Sequence, residues 1–137
     1  MRLPIYLIDA FTDTVFGGNP AAVVPLTTWL SDEQMQKIAQ ENNQAETAFF
    51  VANPDGTQHI RWFTPLVEVN LCGHATLAAA HVLFNTNAIT GNEIIFNSRS
   101  GKLVATKNQH GLQLDFPLDY FFESEENPSK KKRKMST

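Results

Sequence analysis

A single cysteine, Cys72, occurs in the 137 residues, so no intrachain disulfide can form and nothing calls for an oxidising compartment. No uninterrupted apolar run approaches the roughly 20 residues that a membrane-spanning helix needs, which argues against a membrane role. The N-terminus, MRLPIYLIDAFTD, has one basic residue and soon meets Asp9 and Asp13. It reads as a first strand rather than a signal peptide, and the cytoplasm is the expected location. Positive charge is scarce outside one cluster. Five of the 11 basic residues lie in Lys130–Lys134, so residues 1–129 carry 6 basic against 14 acidic groups, a net of −8. Such a body lacks the basic face that phosphate neutralisation requires, which argues against a nucleic-acid partner. Gly17-Gly18-Asn19 is neither a dinucleotide fingerprint nor a P-loop. His74 and His81, seven residues apart, are too distant to share a metal ion, and no cysteine or acidic cluster supports zinc.

What is present suits one soluble globular domain with a core of its own: 42% hydrophobic and 18% charged residues. Leu3 to Ala10 reads as a strand, and Gly17-Gly18-Asn19-Pro20 as a turn before a short buried strand, Ala21 to Val24. Ser31, with Gln34 three residues on, forms a capping-box signal for a helix ending near Asn42-Asn43. ETAFFVAN and QHIRWFTP are strands joined by the turn Asn53-Pro54-Asp55-Gly56. CGHATLAAAHVLFN is a helix apolar nearly all round, hence buried on most sides. EIIFNSRSG, KLVATKNQ and GLQLDFP follow as an antiparallel meander. The expected class is α+β, a curved, mostly antiparallel sheet wrapped around a central apolar helix, in preference to a parallel βαβ layout. Residues 1–120 form the domain; residues 121–137, polar and charge-segregated, are expected to be a disordered tail.

Three features carry candidate chemistry: a helix start, a glutamate and a cysteine. A helix opening at Gly73-His74 presents backbone N–H groups and the positive end of its dipole, a natural seat for a carboxylate or an enolate-like oxygen. The tripeptide alone is more often an ordinary tight turn in which His74 caps its own helix. Glu46 stands between a polar loop and an apolar strand, where desolvation would tune it to take and return a proton. Alone, it reads more commonly as an exposed strand-edge glutamate. Cys72 could be a thiolate base, since a helix start lowers a thiol pKa, although a lone cysteine there is more often packing. His81 reads as packing or an edge contact; His59 and His110 read as solvent-facing hairpin residues.

Taken together, FGGNPAAVV, ENNQAETAFF, IRWFTPLVEVNLCGHATLAAAHVLF and the SGKLVA and LQLDFP segments closely resemble the N-terminal half of the phenazine-biosynthesis PhzF-like family. Their order and spacing carry the match, from residue 3 to about 117. The resemblance implies one half of a diaminopimelate epimerase-like fold, in which two such domains enclose a cleft. It implies an isomerase that needs neither cofactor nor metal and moves a proton on a small carboxylic acid, in the namesake a dihydro-hydroxyanthranilate. Glu46 takes the place of the proton-shuttling glutamate, with Gln44-Ala45 where a serine commonly precedes it. His74 matches the histidine beside the substrate. Gly73, His74 and Ala75 would donate to the substrate carboxylate, and Gly18, Asn19 and Pro20 match the loop lining the cleft.

Family members are about twice this length, and the segment that brings their second domain has no counterpart here. A truncated or frame-shifted product is therefore expected, with Lys130–Lys134 as a solvated tail. Two alternatives stay open beside the isomerase. One is a cysteine-type epimerase or racemase acting through Cys72, which would need a homodimer or another acid because one thiol serves only one face of a carbon. The other is a non-catalytic module that binds a small acid.

Overall fold

The computed structural model describes residues 2–8, 20–115 and 134–136. Their strands form one sheet, in the order β1-β2-β3-β4-β6-β7-β8-β9 with β5 attached to β4. The elements are β1 (Tyr6–Ile8), β2 (Ala21–Leu26), α1 (Asp32–Asn42), β3 (Thr47–Ala52), β4 (Gln58–Phe63), β5 (Glu68–Val69), α2 (Gly73–Asn85), β6 (Glu93–Ser98), β7 (Gly101–Asn108), β8 (Gly111–Asp115) and β9 (Lys134–Ser136). Most pairs are antiparallel, as expected. Two are not: β2 with β3, and β4 with β6, run parallel. Parallel neighbours cannot be joined by a tight hairpin, so each needs a crossover. The two helices supply those crossovers, which the reading against βαβ units did not anticipate.

Strand alternation sorts side chains to the two faces. On β3, Ala48 and Phe50 face α2, while Phe49 and Val51 face α1. On β4, Ile60 and Trp62 join the α2 side and Phe63 the α1 side. The inner core continues through Ile94, Phe96, Leu103, Ala105, Leu112 and Leu114, so β6 to β8 curl over the same helix. Helix α2 thereby touches both β2 and β8, which are far apart in the sheet order. Its run of Ala78, Ala79 and Ala80, each fully buried, lets backbone approach from several sides.

The first turn of α2 is tied to the sheet by polar bonds inside that core. Trp62 Nε1 donates to Thr76 Oγ1 (2.8 Å), and Thr76 Oγ1 donates to the Cys72 carbonyl (2.7 Å). Buried groups of this kind are costly to leave unmatched.

On the outer face, α1 starts as its sequence predicts. Ser31 Oγ accepts from Gln34 N (3.1 Å), and Ser31 N donates to Gln34 Oε1 (3.0 Å). Asn43 closes the helix in the left-handed region at φ 54°. Met35 and Ala39 are its buried contacts with the sheet. Arg61 of β4 clamps this side, with Nε and Nη2 donating to the Glu68 carboxylate (2.7 and 2.8 Å) and Nη2 also to Asp32 (2.9 Å).

At the chain's end only three residues of the 121–137 segment are described. Within residues 121–137, Lys134–Ser136 form a strand antiparallel to β8, with Leu114 opposite Met135. An edge strand offers unpaired N–H and C=O groups that any nearby extended segment can satisfy, whatever its side chains. Residues 116–133 and 137 lie outside the described residues, as do residues 9–19.

The Trp62–Thr76–Cys72 clasp yields a direct prediction. Thr76→Val keeps the shape but removes both hydroxyl bonds and leaves the indole N–H buried without a partner, so unfolding free energy should fall by about 1–3 kcal/mol. Urea denaturation followed by tryptophan fluorescence measures it; an unchanged midpoint would show that the clasp contributes nothing.

Candidate functional site

The polar residues singled out in the sequence gather where β3 begins and α2 begins. The β2–β3 ladder reaches one residue beyond β3, because Ala22 N donates to the Glu46 carbonyl (3.0 Å). Glu46 therefore keeps the pleat of the strand, and lies two residues before Ala48, on the α2 side. It is half-buried, as is Pro20 at the entry to β2. Gly18 and Asn19, expected to line the same place, lie outside the described residues.

Across from Glu46, Cys72 is the N-cap of α2 in extended conformation (φ −147°, ψ 102°), and its side chain makes no capping bond. The first intrahelical bond is Thr76 N to Cys72 O (3.1 Å), so the amides of Gly73, His74 and Ala75 precede the hydrogen-bonded ladder. The His74 side chain is buried, with 6% of the residue exposed.

The Cys72 thiol links the two halves of this arrangement. Burial pushes its pKa up to about 12, the negative charge and hydrogen bond of Glu46 act in the same direction, and the amides of Ala75 and His74 oppose them. Both Glu46 and the first turn of α2 thus act on one sulfur atom. The helix start alone predicts a lowered thiol pKa and a candidate base; the structure reverses the sign. A raised thiol pKa lowers the thiolate fraction at neutral pH, which weighs against Cys72 as the alternative base. Sequence reasoning had signals for Glu46 and for the helix start. It had none for their contact through Cys72, since 26 positions separate Glu46 from Cys72 and only the sheet register joins them.

The other histidines stand apart from this site. His59 is half-buried rather than solvent-facing, its ring edge-on to Trp29 at 5.0 Å between centroids. The side chain of Asn85 donates to the His81 carbonyl (2.7 Å), which makes His81 part of the helix's last turns. His110 is exposed. Among the described residues no group of three or more His, Cys, Asp or Glu is arranged to hold a metal ion, and no helix is long and apolar enough to cross a membrane. Two surface grooves, of about 550 and 520 Å³, lie elsewhere, where the N-terminal segment at Arg2 and Leu3 meets α1 and the end of β2. Neither is lined by Glu46, Cys72 or His74. Their position on the α1 side separates them from the polar cluster.

The raised thiol pKa has a consequence for stability. From pH 9 upward the unfolded chain loses the thiol proton, whereas the folded chain keeps it until about pH 12, so stability is lost across that window. Cys72→Ser removes this contribution. Its melting temperature should decline less steeply between pH 9 and 12 than that of the wild type; parallel declines would show that the thiol is not held protonated.

Comparison with known proteins places this geometry in a family. The family model described as phenazine biosynthesis-like protein (PhzC–PhzF) matches residues 8–135. A protein named uncharacterized isomerase, from Pseudomonas aeruginosa, is 52% identical over 117 residues, covering 85% of this chain and 45% of that protein. A crystal structure of a PhzF-family phenazine biosynthesis protein from Enterococcus faecalis superposes with a TM-score of 0.78 at 50% identity, over 86% of this chain and 45% of the other. A structure described as a predicted epimerase, from Pseudomonas aeruginosa, superposes with a TM-score of 0.68 at 25% identity, over 84% of this chain and 43% of the other. The chain spans a little under half the length of these relatives. With its sheet curled around an apolar helix and a family match over most of its length, it belongs to the phenazine biosynthesis-like (PhzC–PhzF) family.

Proposed function

We propose that this domain carries one wall of an isomerase site that moves a proton on a small carboxylic acid. Glu46 takes the proton and returns it at a different atom. The amides of Gly73, His74 and Ala75 receive the substrate carboxylate at the positive end of α2, with His74 beside it and Pro20 along the rim. The reaction so written needs neither metal nor cofactor, because a carboxylate can serve as both acceptor and donor when its substrate is held in place.

One observation carries this reading. Glu46 and the first turn of α2 act on the same thiol, so a proton acceptor and an anion seat lie within one side chain of each other. Names of similar proteins support the reaction class: isomerase for one relative, epimerase for one structural neighbour. A cysteine-driven epimerisation fits less well, since a thiol held protonated to about pH 12 is a poor base at neutral pH.

The test is solvent-deuterium exchange into a dihydro-hydroxyanthranilate, followed by NMR. Glu46→Gln keeps the size of the side chain and removes its basicity, so exchange should drop by about 10²- to 10⁴-fold. Exchange at the wild-type rate would remove Glu46 from the role. Binding of the acid without any exchange in the wild type would leave a binding module in place of an isomerase.

A further inference from the structure

We infer that Asn42 is a positioning residue for Glu46: its side-chain oxygen ties down the turn between α1 and β3 at both ends and so fixes where Glu46 leaves the backbone. The inference rests on the acid/base reading of Glu46 and assigns a separate task to a different side chain.

The causes run from packing to polar bonds. Helix α1 is seated on the sheet by Met35 and Ala39, neither of which has exposed surface. Asn43 closes the helix in the left-handed region and donates its N–H to the Ala39 carbonyl (3.1 Å). Asn42, the last residue of the helix, is thereby held in a set place. Its Oδ1 accepts from Gln44 N (3.2 Å) before Glu46 and from Thr47 Oγ1 (3.2 Å) after it. Gln44 Nε2 returns a bond to the Asn42 carbonyl (3.2 Å).

Ala45 and Glu46 thus span two points tied to one oxygen atom. The far point is rigid, because Thr47 is fully buried and pairs with Ala22 on one side and Phe63 on the other. The Glu46 carbonyl is held in turn by Ala22 N (3.0 Å). Gln44 N is a donor, so only the oxygen of the Asn42 amide can face it. The amide nitrogen then lies buried without a hydrogen-bond partner among the described residues. An unmatched buried donor lowers stability, so stability alone does not account for this side chain. Holding the turn does. Misplacement of a reacting group by about 1 Å can cost on the order of 10²-fold in rate, so slack on either side of Glu46 would be felt in turnover.

The first measurement is amide hydrogen exchange by NMR in the folded, substrate-free protein, comparing the wild type with Asn42→Ala. In the variant the Gln44 amide loses its acceptor and should exchange about tenfold faster, while the amides inside the β3–β4 ladder keep their protection. Unchanged exchange at Gln44 overturns the tether, and with it the proposal, whatever Glu46 does to a substrate.

The second measurement is solvent-deuterium exchange into the dihydro-hydroxyanthranilate in Thr47→Val and Thr47→Ser, with circular dichroism to show that both are folded. Valine has the shape of threonine without its hydroxyl and frees one end of the turn. Its kcat should fall by about tenfold to a hundredfold with KM little changed, whereas serine keeps the donor and should restore most of the loss. Asn42→Ala, which frees both ends, should lose at least as much. Wild-type kcat in Thr47→Val and Asn42→Ala, alongside lost exchange in Glu46→Gln, overturns the positioning role and leaves the acid/base reading of Glu46 intact. No exchange in the wild type overturns that reading, and the positioning role falls with it.

Discussion

The inner half of this molecule depends on burying a helix that has no face for water. Ten of the residues of α2, from His74 to Phe84, are buried, and only His81 and the helix ends reach the surface. A flat sheet can cover one side of a helix. Covering the rest requires the sheet to curl until β2 and β8 both meet it, with Trp62, Phe96, Leu103 and Leu114 closing the gaps. Burial of each such side chain stabilises the fold by roughly 1.5–3 kcal/mol, far more than any single polar contact in the site, so packing decides the shape and the polar groups must fit within it.

That order of magnitudes explains the state of Cys72. The field at a helix start stabilises an anion by typically 0.3–1 kcal/mol, up to about 2 kcal/mol in sheltered geometries. Burial of an ionisable group acts against its charged form by as much as 3–5 pKa units, roughly 4–7 kcal/mol. Once α2 is enclosed, desolvation outweighs the dipole, and Glu46 adds to desolvation. The thiol is held toward its protonated form, where the helix start taken alone would favour the thiolate.

The outer face is organised differently. Arg61 holds Glu68 and Asp32 there and lies over the rings of Trp29 and Phe63, 5.6 Å from each centroid. It ties α1, β4 and β5 together away from the proposed chemistry. Exposed apolar side chains sit at Ile5 just before β1, at Tyr6 and Leu7 within it, and at Leu66 and Val67 in the turn after β4. These are edges of the sheet and its loops, distinct from the enclosed helix.

The sequence by itself determined the local elements whose causes are local. The capping box at Ser31 and Gln34 depends on residues three apart, the turn at Asn53–Gly56 on four neighbours, and the all-apolar character of α2 on its own thirteen residues. It also singled out Glu46 and the Gly73-His74 helix start as polar groups set against apolar segments. Four segments in a fixed order were enough to mark the family. Only the tertiary structure decided which strands lie parallel, that Lys134–Ser136 pair with β8, and that Glu46 and Cys72 act on each other. Sheet register and helix enclosure are long-range outcomes, set by how apolar faces are covered across the whole chain. The charge state of a thiol follows from that enclosure, so no reading confined to its sequence neighbours could have given its sign.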